Sequence, residues 1–205
     1  MKNIFIHILN FIIIISILIS CKKGENDPFL SLHTRKARIV GEWKVSSITE
    51  NYSNAAIFHE ISSTYDGNLE TRIETMYGNT TTVTEAYSID WIFKKDGSFK
   101  KIKTAISNSS ENNIFTTEGN WEFLGKNKNA KLKNKEAIIL TNIKNTSSDG
   151  YFSDASNTFQ PFETLIIDEL RNNKIVFKYD EIETNGFSNY MNTIKRKGEI
   201  TLTKK

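Results

Sequence analysis

The chain has little of what usually announces an enzyme or a cross-linked secreted domain. One cysteine, Cys21, stands among 205 residues, which excludes an internal disulfide and leaves packing to hold the fold. Beyond the apolar N-terminal run the only histidines are His33 and His59, and neither has a Cys or a second His at metal-ligand spacing, so no zinc site is visible. No Gly-x-Ser-x-Gly, His-Glu-x-x-His or phosphate-cradling glycine loop occurs. The 27 lysines and arginines face 24 carboxylates, a net charge of +3, which removes the electrostatic case for a nucleic-acid partner. Only two prolines are present, so few positions break a long extended segment.

What is present begins at the N-terminus. Lys2 precedes an apolar stretch from Phe11 to Ile19 that closes on Leu18-Ile19-Ser20-Cys21. This resembles a bacterial lipoprotein signal, and the resemblance implies cleavage before Cys21 and acylation of its thiol and freed amine. An uncleaved spanning anchor is the competing reading, but Asn10 and Ser16 interrupt a run already at the short limit of the roughly 20 residues a span needs. Two or three acyl chains at about 0.8 kcal/mol per buried methylene would make the tether permanent. Residues 1–20 are therefore read as the signal peptide and 21–28 as the lipidated cysteine with a flexible tether containing Gly24 and Pro28. Residues 29–205 form one domain with a sizeable core. Lys22 rather than Asp follows Cys21, which by the familiar sorting rule favours the outer membrane. Glu25 and Asp27 weakly match a surface-export signal, leaving periplasmic face and cell surface both open.

Ser31 to Arg38 fits one or two helical turns; almost everything after it alternates apolar and polar residues at period two. Strands are expected over Ile39–Thr49, Ala56–Tyr65, Leu69–Tyr77, Thr82–Lys94, Ser98–Ile106, Ile114–Leu124, Glu136–Lys144, Phe162–Leu170, Lys174–Asp180 and Tyr190–Lys204. Asp66-Gly67-Asn68, Gly78-Asn79, Asp96-Gly97 and Asn172-Asn173 supply the turns. So many short strands with almost no helix favour a closed antiparallel barrel, because closure removes exposed edges. The segment Thr146–Gln160, rich in Ser, Asp and Asn, reads as a long loop for binding or as disorder.

Gly41-Glu42-Trp43 on the first strand is similar to the Gly-x-Trp that opens lipocalins. Phe93-Lys94-Lys95-Asp96-Gly97-Ser98-Phe99, Gly119-Asn120-Trp121-Glu122-Phe123-Leu124 and the lysine-rich Asn127-Lys128 and Lys133-Asn134-Lys135-Glu136 extend the likeness. Together they resemble the lipocalin-like lipoproteins of Bacteroidetes bacteria. That resemblance implies an up-and-down lipocalin-like β-barrel of about 8–10 strands, a size that either fills with side chains or holds one small ligand. It also implies that Gly41 and Trp43 form the barrel base, with a basic side chain of the last strand, Arg196 or Lys195, covering the indole. The chain departs from secreted lipocalins in lacking their disulfide and in the long segment between Phe58 and Tyr87.

Trp91, Phe93, Phe99, Trp121 and Phe123 sit on strands expected to be neighbours, so they fit either the lining of an apolar cavity or an ordinary barrel core. Lys126, Lys128, Lys131, Lys133 and Lys135 fit either a patch for anionic lipid or polysaccharide or a solvated hairpin. Asp66, Asn68 and Glu70 read as a turn rather than a calcium loop, and Asp149 and Asp154 fit a cation or ordinary turn chemistry. The resulting expectation is a non-enzymatic envelope lipoprotein, without cofactor or metal, that binds a small apolar or amphipathic ligand. The alternative is a packed scaffold whose loops dock an envelope partner.

Overall fold

The computed structural model describes residues 33–106, 113–147, 162–187 and 190–205. The residues read as signal peptide, lipidated Cys21 and tether, and the loop of Asp149 and Asp154, lie outside them. A short helix, α1 (Arg35–Ile39), precedes ten antiparallel strands: β1 (Gly41–Asn54), β2 (His59–Tyr65), β3 (Leu69–Met76), β4 (Asn79–Phe93), β5 (Ser98–Ala105), β6 (Ile114–Phe123), β7 (Ala137–Ser147), β8 (Phe162–Leu170), β9 (Lys174–Phe187) and β10 (Tyr190–Lys204). Each pairs with its sequence neighbour, and β1 pairs with β10, so the sheet closes into a ring.

Turn chemistry sets the registers. The Asp66 carboxylate accepts from the backbone N–H groups of Asn68 and Leu69 at 3.0 and 2.9 Å, and Gly67 takes the positive φ of +99° that the bend requires. Asp96 repeats the pattern with Ser98 at 2.9 Å. Tyr77 and Gly78, both at positive φ, form a two-residue turn between the paired Met76 and Asn79. β2 starts at His59 rather than Ala56, because Ala55–Ile57 form a 3-10 turn capped by the Asn54 side chain.

The ring does not have one width. β1 changes partner along its length: Gly41 to Lys44 pair with Phe93 to Asp90 of β4, whereas Ile48 to Asn54 pair with β2. A bulge between Val45 and Ser47 marks the change. The β2–β3 hairpin is thus wedged between β1 and β4 above the β1 bulge, so that the base is a ring of eight strands and the hairpin adds two to the wall above the fork. Tyr65, the last residue of β2, fills the fork by stacking on Tyr87 at 4.9 Å and donating to its carbonyl. The long segment noted between Phe58 and Tyr87 is this wedge.

The base is packed solid. Trp43, Phe93, Phe177, Leu140, Leu165, Ile175 and Leu202 are fully buried, each contributing about 1.5–3 kcal/mol by removal from water. Helix α1 caps this end: Thr34 accepts from the Ala37 N–H, Ile39 is fully buried, and the Trp43 indole N–H donates to the Ile39 carbonyl at 2.8 Å. The Arg38 guanidinium donates to the Leu170 carbonyl.

One expectation at the base is corrected. The cation over Trp43 is Lys204, whose Nζ lies 4.2 Å from the ring centroid and donates to the Val40 carbonyl at 2.9 Å. Trp43 is directly opposite Lys204 in the ladder, whereas Arg196 is opposite Tyr52. Eight residues of strand, roughly 27 Å, separate the two basic residues, so Arg196 belongs to the other half of the barrel. Gly41, at φ +137°, makes room for the lysine: a Cβ there would lie 2.1 Å from Lys204 Nζ.

Candidate functional site: a charged layer above an aromatic floor

The aromatic residues singled out in the sequence meet one another. Phe93 lies 5.7 Å from Trp91, 5.6 Å from Trp121 and 6.4 Å from Phe177, and Trp121 stands edge-on to Phe123 at 5.8 Å. Phe99 is buried with them. Trp91 on β4 also reaches Phe177 on β9, 6.0 Å away across the interior. The Trp121 indole donates to the Lys94 carbonyl at 3.1 Å. These rings form a floor packed against one another, with Lys36 over Trp121 at 6.0 Å and Lys135 over Phe123 at 5.9 Å.

One face of Trp91 carries a charge. Lys101 Nζ sits 4.3 Å from its centroid and pairs with Glu163 at 2.8 Å. Lys101 is on β5 and Glu163 on β8, with β6 and β7 between them in the ring, so this ion pair crosses the lumen. A second group stands beside it. Glu50 on β1 accepts from Tyr179 on β9 at 2.5 Å and from Arg196 on β10 at 3.1 Å, and the Arg196 guanidinium lies 5.0 Å over the Tyr179 ring. Towards the wedge, Lys103 covers Tyr87 at 3.6 Å, the Tyr87 hydroxyl donates to Glu70 at 2.7 Å, and His59 meets Glu74 at 2.7 Å.

Burial and charge work against each other in this layer. Burial pushes the Glu163 carboxyl up, but the charge and hydrogen bond of Lys101, helped by Arg196, outweigh it and hold the group below the usual carboxylate range. Burial and the hydrogen bond to Glu50 raise Tyr179 above the ordinary phenol value, so it keeps its proton. Burial pushes Arg196 down, yet Glu50 holds the guanidinium firmly charged. Glu181 is raised by burial and by neighbouring Glu163, Glu50 and Glu183, against Arg196. Side chains of Lys101, Glu163, Glu50 and Arg196 remain 20, 16, 26 and 39% exposed. The layer is thus partly exposed to solvent.

Sequence reading missed Lys101, Glu163, Glu50 and Tyr179 as a group. A signal was available in strand parity, since Lys101 follows Phe99 by two, and Glu163 precedes Leu165 by two. A charge on the apolar face of a strand is the mark of a lumenal ion pair. For Glu50 that mark is hidden by the β1 bulge, which switches the inward parity between Val45 and Ile48.

Two clefts lie away from the floor. One of about 300 Å³ runs along the outer wall of β10, β1, β2 and β3, between Asn51, Ser53, Glu60, Ser62, Ile73, Thr75, Lys195 and Lys197. The other, about 450 Å³, adjoins it at the rim beside Ala55, Phe58, His59 and Thr193. None of the five floor aromatics lines either cleft. Among the described residues no cluster of His, Cys, Asp and Glu has a metal-binding arrangement, and no helix is long and apolar enough to cross a membrane. Comparison with protein-family models, curated proteins and solved structures finds no match.

Proposed function

We propose that this chain is a lipid-anchored envelope protein of the lipocalin-like lipoprotein kind, acylated at Cys21, attached to the outer membrane, and binding a small amphipathic ligand without catalysis. The ligand's seat on this reading is the ten-stranded half, above Trp91, rather than among the floor aromatics. The observation that carries it is the layering of the interior. A sealed aromatic base lies below a partly wet layer in which Lys101, Glu163, Glu50 and Arg196 offer charges to a polar head group. A wholly apolar ligand is disfavoured there, because it would strip water from those charges and give nothing in return.

The test is mass spectrometry of the protein purified from its native host, under native and denaturing conditions. A small amphipathic mass that is retained natively, released on denaturation and lost in Arg196→Ala supports the reading. A bare chain with no thermal shift across amphipathic metabolites rejects it. Acylation is read separately, by palmitate labelling that Cys21→Ser abolishes.

A second reading rests on a different observation. Phe58 and Tyr77 are 70 and 62% exposed at the wide rim, with ring centroids 6.4 Å apart. An exposed aromatic pair of this kind fits a protein partner, and capture of an envelope protein that Phe58→Ser and Tyr77→Ser abolish would favour a scaffold role.

A further inference from the structure

The two ends of the barrel differ sharply in charge. At the closed base the chain is made of residues 33–40, the β4–β5 turn 94–97, the β6–β7 connection 124–136, the β8–β9 turn 171–173 and the C-terminal 203–205. These segments hold thirteen lysines and arginines against two carboxylates, Asp96 and Glu136. The described segments that join strands at the opposite end are 55–58 and 77–78. They contain no lysine or arginine.

Many of the basal charges are uncommitted. Lys95, Lys126, Lys128 and Lys131 are exposed and have no carboxylate partner among the described residues. Others are used by the fold: Arg38 holds Leu170, Lys204 covers Trp43, and Arg171 and Lys174 neutralise Glu169. The chain also enters the barrel at this end, through α1. Thirteen residues lie between Cys21 and Arg35, a reach of at most roughly 50 Å.

We propose that the basic base docks on an anionic phospholipid surface, which holds the barrel upright with its ten-stranded end away from the membrane. This rests on the anchor reading for its setting, but the attraction itself needs no acyl chain. A lysine within a Debye length of an anionic surface strengthens binding roughly fivefold. Lys126, Lys128 and Lys131 together therefore account for a factor on the order of a hundred. A chain anchored but not docked would instead swing freely on its tether, and its open end would have no fixed direction.

The experiment uses residues 21–205 with Cys21→Ser, so that no acyl group contributes. The strand pairings and core described above all fall within this span, and circular dichroism checks each variant. Binding is measured to vesicles of phosphatidylcholine alone and with about one third phosphatidylglycerol, at about 50 and 300 mM salt. An environment-sensitive dye is placed at Asn129→Cys on the base or at Tyr77→Cys on the rim.

Docking is expected only on the anionic vesicles, weakened by salt, and reduced about a hundredfold in Lys126→Ser/Lys128→Ser/Lys131→Ser. The dye at 129 should respond and the dye at 77 should not. Equal binding to neutral vesicles, no binding to anionic ones, or a response only at 77 overturns the proposal. So does a soluble anionic polysaccharide that binds the triple-lysine site while vesicles do not. Loss of palmitate labelling with vesicle docking retained would remove the anchor and leave the docking, and the reverse result would remove the docking alone.

Discussion

The ion pair across the lumen gives the sharpest test of how dry the layer above Trp91 is. Lys101→Met keeps most of the side-chain stem on the Trp91 ring while deleting the charge, leaving Glu163 with Arg196 as its remaining cationic influence. Removing one partner of a fully buried pair costs about 3–5 kcal/mol. Both side chains here retain some exposure, 20 and 16%, so about 2–3 kcal/mol is expected. At roughly 2 kcal/mol per molar urea, the unfolding midpoint should fall by about 1–1.5 M.

The double variant Lys101→Met/Glu163→Leu removes both charges and should recover most of that loss, because an apolar pair has no desolvation cost to offset. The acid limb supplies an independent check. The Glu163 pKa is lowered by folding, so its stabilisation is present above the unfolded value of about 4.3 and disappears as pH falls through the folded value. The gap between wild type and Glu163→Gln should therefore be largest near neutrality and close below about pH 4. A Lys101→Met midpoint within about 0.25 M of wild type, with no coupling in the double-mutant cycle, would refute the reasoning. It would mean the pair is fully hydrated and the wide half is open water.

Two further outcomes follow from the same interior. A Cβ added at Gly198 would lie 2.3 Å from the Tyr179 hydroxyl and 2.5 Å from the Thr49 carbonyl, so Gly198→Ala should cost about 1–3 kcal/mol; a thermal midpoint unchanged within a degree would contradict it. Burial raises the Tyr65 phenol to about 12, and Tyr87 and Tyr179 are raised further, each by burial and a carboxylate partner. Phenolate absorbance should then show these three titrating above the ordinary phenol range, and stability should fall as pH rises past about 10, since only the unfolded chain loses those protons there; absorbance that shows no phenol titrating above that range would count against a closed interior.

The hairpins were legible because each depends on a few adjacent residues. Asp96-Gly97 and Asp66-Gly67-Asn68 carry their own hydrogen-bond acceptors and left-handed glycines, and the alternation on β4 continues unbroken through Tyr87, Ile89, Trp91 and Phe93. What the sequence hides is which non-adjacent strands face one another. Nothing local says that β1 trades β4 for β2 halfway along, that Lys204 rather than Arg196 reaches Trp43, or that Lys101 finds Glu163 beyond two intervening strands. Which aromatics of the floor meet depends on the same distant pairings, as the contact of Trp91 with Phe177 shows.

Aromatic floor and charged layer then have a common physical cause in the wedge. An eight-stranded ring is about wide enough for side chains to meet across it, so Trp91 on β4 and Phe177 on β9 touch and exclude water. Two residues above Ile48, the partner of Tyr65 at the fork, the wall has two more strands and the next inward residue is Glu50. At that width short apolar side chains from opposite walls would leave a void, and each unfilled volume costs stability. Long side chains with charged ends can bridge part of the gap and share the rest with water, as Arg196, Glu50, Lys101 and Glu163 do. The hairpin between Phe58 and Tyr87 is therefore more than an insertion on a barrel: by adding two strands above the fork, it sets an interior bridged by charged side chains over one filled by meeting rings.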